Sequence, residues 1–356
     1  MTTPTPRLLA LSTAVPAYAL GQEEVADRAR RLFAERTAAD LDRLMPVFAN
    51  AGIERRYSCV PIDWYERPHG WTERNALYLE NAVNLLERAA RTALRNAELS
   101  PAEIDAVITI STTGIATPSL DAMLMDRLEL RRDVKRMPIF GLGCVGGAAG
   151  IARAGDYVRA FPNHVAALLS VELCSLTIQK QDVSMANLIS SALFGDGAAA
   201  VVVSGADRIS GGPEILDTRS VFYPETEHIM GWDISEKGFQ IVLSPDLPAL
   251  IVEHLGRDVD EFLRDHGLTR KDIGRWILHT GGPKILEATA KALELPKGAL
   301  DVSWECLRRV GNLSSTSVLL VLEEVMKRRR PAAGTYSLLA AMGPAFCSEL
   351  VLLRWD

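Results

Sequence analysis

The sequence predicts an α/β protein in which short buried strands lie between layers of helix, the whole built from two similar halves. Three observations predict it. Apolar runs such as 166–171 and 199–203 are short and uninterrupted, as strands buried on both faces are. Helical periodicity fills the stretches between them, over 73–97 and 246–265. A segment at 99–108 (LSPAEIDAVI) returns 169 residues later at 268–277 (LTRKDIGRWI).

Taken in order, residues 8–15 are apolar but interrupted by Ser12 and Thr13, ended by Pro16 and preceded by one cation, Arg7. They read as a first β-strand rather than a secretory signal. In each copy of the repeat a helical stretch comes first, 85–97 and then 259–266. Ser100 with Glu103, and Thr269 with Asp272, then have the spacing of a helix-start signal. A strand follows (107–110, 276–278), and then small and glycine residues (111–114, 280–282). Each half closes on another buried strand, 198–203 and 350–353. The join falls at 205–213, with Gly205, Gly211, Gly212 and Pro213, dividing the chain into 1–205 and 206–356. Strands between helix layers are the simplest architecture for such a pattern.

A length of 356 residues is roughly two domains' worth of chain. Hydrophobic residues at 48% and charged residues at 24% are ordinary for a soluble globular protein. Lys and Arg number 39 against 45 Asp and Glu, so the net charge of −6 excludes a broad nucleic-acid footprint. No stretch approaches the ~20 apolar residues of a membrane span. The five cysteines (59, 144, 174, 306 and 347) are widely spaced with no C-x-x-C, which excludes a metal knuckle and argues against a disulfide scaffold. A reducing, cytoplasmic compartment is therefore expected.

The sharpest local feature is 137–150 (MPIFGLGCVGGAAG), an apolar strand running through glycines into a small-residue helix. Gly141, Gly143 and Gly146 fit the dinucleotide pattern, which would make a nicotinamide-linked oxidoreductase. The motif falls after residue 140 rather than in a first β-α unit, with no acidic residue ~20 positions on, and that reading is rejected. Cys144 carries the alternative. A thiol at a strand-to-helix turn meets converging N–H groups, which favour the thiolate, and flanking glycines let a substrate carbonyl come close. The other four cysteines read as buried structural residues. Of six histidines, only His279 ends a buried strand among glycines, where α/β folds place their sites; a satisfied core histidine is the even alternative. Asn312, in 311–317 (GNLSSTS), opens a helix: it is either a cap, or an amide donor for a developing oxyanion. It also fits the glycosylation sequon, discounted because nothing indicates secretion.

Together these stretches resemble the type III polyketide synthases, the chalcone and stilbene synthase superfamily of the thiolase-like fold. The matching segments are 143–147 (GCVGG), 192–198 (ALFGDGA), 279–283 (HTGGP), 311–315 (GNLSS) and 342–344 (MGP). The resemblance implies a layered αβαβα fold and a homodimer, with Cys144 holding the acyl starter as a thioester. His279 and Asn312 would then bind the malonyl-CoA carbonyl while decarboxylation builds an enolate, and the imidazole would keep Cys144 as its thiolate. Phe194 matches one gatekeeper; the second falls within 239–241, with Ile241 the closer match. Gly343 and Pro344, in the last matching segment, are taken with the substrate site. Arg55 and Arg56, in 53–57 (IERRY), would meet the CoA phosphates, with Lys284 a further candidate. No metal or other cofactor is implied beyond CoA thioesters. Thr117 stands where plant enzymes carry a methionine that crosses the dimer.

Segments 64–66 (WYE), 172–177 (ELCSLT) and 230–233 (MGWD) are most similar to bacterial alkylpyrone and alkylresorcinol synthases. That implies a long-chain fatty acyl-CoA starter. Trp232 would narrow one lobe of the cavity, and a slim acyl tunnel would pass Thr112, Thr113 and Cys174, although core packing is the plainer reading of each. The rival readings are a ketoacyl-ACP synthase III-like enzyme, needing acyl carrier protein, and an inactive lipid-binding protein of the same fold.

Overall fold

The computed structural model describes residues 5–33, 44–182, 184–209 and 211–356. Its strands follow one another in two matching sets. Strand β1 (Arg7–Ala14) pairs antiparallel with β7 (Asp196–Ser204), and β7 with β6 (Val165–Leu173). β6 then runs parallel to β4 (Ala106–Ile110), and β4 to the edge strand β5 (Lys135–Ile139). The second set repeats that sequence of directions. β8 (Glu214–Phe222) is antiparallel to β13 (Cys347–Arg354), β13 to β12 (Tyr336–Gly343), and β12 is parallel to β11 (Ile273–Leu278). One residue pair, Arg7 with Glu214, joins the sets into a nine-stranded order. The side chains of that pair also form an ion pair at 2.6 Å. Of the join predicted at 205–213, Ser210 lies outside the described residues.

The recurring segment occupies equivalent places. Both expected helix-start signals are real capping boxes, Ser100 with Glu103 and Thr269 with Asp272, but each caps a single 3-10 turn rather than an α-helix. The reason is what comes next. The apolar run of β4 or β11 is drawn into the sheet at once, so the chain cannot wind further.

Every residue of β6 and β7 is buried, as the uninterrupted apolar runs required. One face of the first set is covered by α3 (Trp71–Asn96) and α4 (Leu120–Leu128). Helix α3 buries Tyr78, Ala82, Leu85, Leu86, Ala89 and Ala93 at helical spacing. Between the two sets lie α5 (Gly146–Ala160) and α10 (Ser315–Arg328), sharing one core cluster with both. The outer face of the second set is covered by α7 (Leu247–Arg264), α8 (Pro283–Ala292) and α9 (Asp301–Val310). The result is the expected layered αβαβα fold.

Glycine sets the closeness of the two central helices. A Cβ on Gly147 would fall 2.2 Å from the carbonyl oxygen of Ser315, so α5 and α10 meet only because that atom is missing. Outside the layers, β2 (Tyr18–Gly21) pairs with β3 (Arg55–Ser58) and flanks α1 (Gln22–Leu32) and α2 (Pro46–Asn50). Helix α6 (Met185–Leu193) packs on a hairpin, β9 (Met230–Ser235) with β10 (Gly238–Leu243), in which Trp232 and Ile241 are directly opposed. Among the described residues no helix is long and apolar enough to cross a membrane.

Candidate active site

Cys144 sits in a one-turn 3-10 segment, Gly143–Val145, immediately before α5. The turn is braced from outside. Gly143 has φ +51°, and a Cβ there would meet Pro344 at 2.6 Å; a Cβ on Gly343 would meet the Leu142 carbonyl at 2.6 Å. Gly343 and Pro344 thus shape the turn that carries the thiol rather than lining a substrate cavity.

The thiol is buried and faces Ser314, whose Oγ accepts from Cys144 Sγ at 3.6 Å. Burial pushes its pKa up to about 12, with the Ser314 contact opposing and the nearby Glu172 reinforcing the rise. That displacement is worth roughly 4 kcal/mol, against at most about 2 kcal/mol from a helix N-terminus. Burial thus opposes the thiolate expected from the sequence and favours the neutral thiol in the unliganded protein.

His279 continues the ladder beyond β11, its N–H donating to the Ala340 carbonyl at 3.1 Å. Its ring is buried, Nδ1 has no hydrogen-bond partner, and burial lowers the imidazole pKa to about 4. The ring is therefore neutral at pH 7.

Asn312 precedes α10, but the cap itself is Ser314, held at φ +50°. The Asn312 side-chain oxygen accepts from the Ser314 N–H at 2.8 Å and from Ser317 Oγ at 3.3 Å. Those donors orient the amide without ambiguity. Nδ2 then has one hydrogen for the Gly281 carbonyl at 3.3 Å and a second to offer elsewhere. The buried side chain is no glycosylation acceptor.

A cavity of about 430 Å³ brings Cys144, His279 and Asn312 together, and Phe194 and Lys284 also line it. Met230, Leu243, Ile189, Leu193 and Ile251 form much of its apolar wall. Trp232 and Ile241 are not among the lining residues, though they share a hairpin face with Met230 and Leu243. Thr112 and Cys174 also lie apart from it. Thr112 is committed to Glu172, through its N–H and its hydroxyl, both at 2.9 Å, and Thr113 Oγ1 donates to the same carboxylate at 2.9 Å. Cys174 is buried.

The CoA assignments need one clear correction. Arg56 is almost wholly buried, and its guanidinium donates to the carbonyls of Ser191 (2.6 Å), Ala192 (2.6 Å) and Phe194 (3.1 Å) and to Gln22 Oε1. A cation at the C-terminal end of α6 satisfies the carbonyls left over there; both terminal nitrogens are committed, and Nε, without a partner among the described residues, is buried away from any phosphate. Arg55 is exposed beside the Tyr57 ring and does not line the cavity. Lys284 alone of the three stands at it, and is exposed.

Two residues escaped sequence reasoning. Ser314, the partner of the thiol, looked like one more helix-start serine. Glu172 is fully buried and accepts from Thr112, Thr113 and Ser315, with burial raising its pKa. Its signal was available: a carboxylate within an otherwise apolar strand.

A thiol, an imidazole and an oriented amide around one cavity of a layered αβαβα protein define a condensing enzyme that works through an acyl thioester. Residues 4–208 match the family "Chalcone and stilbene synthases, N-terminal domain" and residues 214–355 its C-terminal counterpart. The chain is 49% identical over 349 residues to 1,3,6,8-tetrahydroxynaphthalene synthase of Streptomyces peucetius subsp. caesius, covering 97% of this chain and 92% of that protein. It is 33% identical over 349 residues to phloroglucinol synthase of Pseudomonas fluorescens, covering 96% of each. The crystal structure of 1,3,6,8-tetrahydroxynaphthalene synthase from Streptomyces coelicolor A3(2), a bacterial type III polyketide synthase, aligns with TM-score 0.94 and 32% identity over 98% of this chain and 99% of that one. The chain belongs to the chalcone and stilbene synthase family of type III polyketide synthases, malonyl-CoA-dependent acyl-transferring enzymes.

Proposed function

We propose that this enzyme condenses malonyl-CoA units on Cys144 and releases a small polyhydroxylated aromatic polyketide. The observation that carries the reading is the oriented Asn312 amide sharing one cavity with Cys144 and His279. In loading, neutral His279 takes the proton of the Cys144 thiol as sulfur attacks the acyl-CoA, and returns it to the departing CoA thiolate. In extension, malonyl-CoA loses CO2 and its thioester oxygen becomes an enolate. The free N–H of Asn312 and an N–H of His279 hold that charge. The enolate carbon attacks the Cys144 thioester, and the cysteine leaves as its thiolate. The steps use thioesters only and need no cofactor.

The aromatic product is supported by the names of the relatives and by the cavity. The same 430 Å³ must admit the pantetheine arm and hold the growing chain, and the route past Thr112 is tied to Glu172. A second reading, a long-chain fatty acyl starter giving an alkylpyrone or alkylresorcinol, draws support from the apolar wall of Ile189, Leu193, Leu243 and Ile251. Mass spectrometry of products from malonyl-CoA alone, and with acyl-CoA starters from acetyl to hexadecanoyl, decides between them. An aromatic product from malonyl-CoA alone supports the first; product only with long starters supports the second. Turnover solely with malonyl-ACP overturns both. Cys144→Ala should abolish loading while sparing slow malonyl-CoA decarboxylation, whereas His279→Ala and Asn312→Ala should suppress decarboxylation. Equal loss of both steps in all three variants contradicts the roles.

The enzyme is proposed to act in the cytoplasm as a homodimer. Strand β5 leaves the sheet edge open beside exposed Phe140 and Ile115. Among the described residues, fully buried Asp121 has no hydrogen-bond donor, only Arg136 as an ion-pair partner at 3.4 Å. Thr117 lies in the same region, in a cis peptide with Pro118. Sedimentation giving a monomer at micromolar concentration would refute the dimer.

A further inference from the structure

Gln179 has no place in the chemistry above, yet it is buried and both hydrogens of its amide are engaged. Nε2 donates to the carbonyls of Lys237 at 2.9 Å and Phe239 at 3.1 Å, the two residues flanking Gly238 at the turn of the β9–β10 hairpin. One NH2 group thereby grips both sides of the turn. The other end of the hairpin belongs to the cavity, where Met230 and Leu243, a directly opposed pair, form part of the wall. Trp232 and Ile241 lie between those ends on the same face.

The backbone around Gln179 is held just as firmly, and by the opposite wall. Asn187, on α6, donates from Nδ2 to the carbonyls of Gln179 and Asp182, both at 2.7 Å, and its Oδ1 accepts from the Gln179 N–H at 3.4 Å. Helix α6 supplies Met185, Ala186, Ile189 and Leu193 to the cavity. Gln179 therefore lies between the two walls and is hydrogen-bonded to both. Aromatic packing completes the clamp. A Cβ on Gly238 would strike the Trp71 ring at 2.7 Å, and Phe239 contacts Trp71 and Trp232 with centroid separations of 5.1 and 5.6 Å.

We propose that Gln179 is a specificity-determining positioning residue that sets the spacing of α6 and the β9–β10 hairpin, and with it which acyl chain the cavity accepts and how far that chain grows. This inference rests on the condensing reading given above. It makes Gln179 act on substrate choice through Met230 and Leu243, with no contact to the reacting atoms.

The test uses Gln179→Met, which keeps the volume and removes both donors, beside Gln179→Glu, which turns a carboxylate toward two carbonyls. Acetyl-CoA and hexanoyl-CoA compete as starters in one vessel, and the product ratio is read together with malonyl-CoA decarboxylation. The ratio is independent of the folded fraction, so simple destabilisation does not move it. The expected result is a change in product ratio of roughly fivefold, what one hydrogen bond of ordinary strength commands, with decarboxylation within about twofold of wild type. Hydrogen exchange over residues 230–243 should accelerate in both variants. An unchanged ratio with unchanged exchange, or condensation and decarboxylation falling in parallel, overturns the proposal. Faster exchange in the variants, together with a wild-type enzyme that makes no condensation product, would instead defeat the condensing reading and leave the clamp standing.

Discussion

Phe194 and Asn312 are joined backbone to backbone as an isolated β-bridge. The Asn312 N–H donates to the Leu193 carbonyl at 2.8 Å, and the Asn312 carbonyl accepts from Gly195 at 2.9 Å. The aromatic ring at the cavity and the amide proposed to carry enolate charge are thus one rigid unit. The Asn312 side chain can be altered without disturbing that bridge. Asn312→Asp keeps an oxygen for Ser314 and Ser317 but loses the N–H donor, so malonyl-CoA decarboxylation should fall by roughly 10²–10³. Thermal unfolding should stay close to wild type. Decarboxylation within tenfold of wild type would show that the amide does not hold the charge.

Acid stability should report on His279. Its folded pKa, about 4, lies below the unfolded value of 6.5. The unfolded chain binds the proton first, and stability is lost as pH falls from 6.5 towards 4. The loss amounts to about 3 kcal/mol. Asp196, raised to about 6 by burial, acts oppositely, contributing stability at low pH that fades as pH rises through 6. Comparison with His279→Ala separates the two. Urea unfolding at pH 7 and pH 4.5 should show the variant gaining on wild type at the lower pH. A constant difference would mean that the imidazole keeps its unfolded pKa in the fold.

Arg56 and Lys284 should separate stability from CoA binding. Arg56→Met leaves three carbonyls at the end of α6 without their donor and should destabilise by roughly 3 kcal/mol or more. The KM for malonyl-CoA in the folded fraction should hardly change. Lys284→Ala should leave the melting temperature alone and raise that KM roughly two- to fivefold, in keeping with one exposed charge. Reversal of the two phenotypes would return Arg56 to the phosphates.

Gly147→Ala tests the central layer. Overpacking a core costs about 1–3 kcal/mol, occasionally more, and here the added methyl would lie 2.2 Å from a backbone oxygen. The expected cost is at the upper end, with condensation lost along with stability because Cys144 and Ser315 ride on the displaced helices. An ordinary melting temperature would show that α5 and α10 can part without consequence.

What the sequence revealed follows from range. Cys144, His279 and Asn312 were legible because each sits where local chemistry is visible: glycines around a turn, the end of a buried strand, the start of a helix. The halves were legible because a copied segment needs no tertiary knowledge. Arg56 was misread because its acceptors lie about 135 residues away, and a pair of arginines looks the same on a surface as beneath one. Core packing is the plainer sequence reading of Thr112 and the tunnel the alternative, and nothing nearby in sequence announces Glu172 as its partner, 60 residues on. Ser100 and Thr269 signalled helices and received one turn, since the sheet claimed the following residues. In sequence the thiol's charge is read from its helix terminus and its imidazole partner, while its burial comes from segments distant in sequence.

Cys144 and Asn312 stand 168 residues apart, one short of the internal repeat, and each immediately precedes one of the two helices that meet at Gly147 and Ser315. The two halves thus offer the same address twice, at helix starts that face each other, one copy carrying a thiol and the other an amide. Neither half holds a complete reagent set, so the reaction is a property of the pairing itself. A slip of the central layer would therefore part the thiol from the amide without touching either side chain.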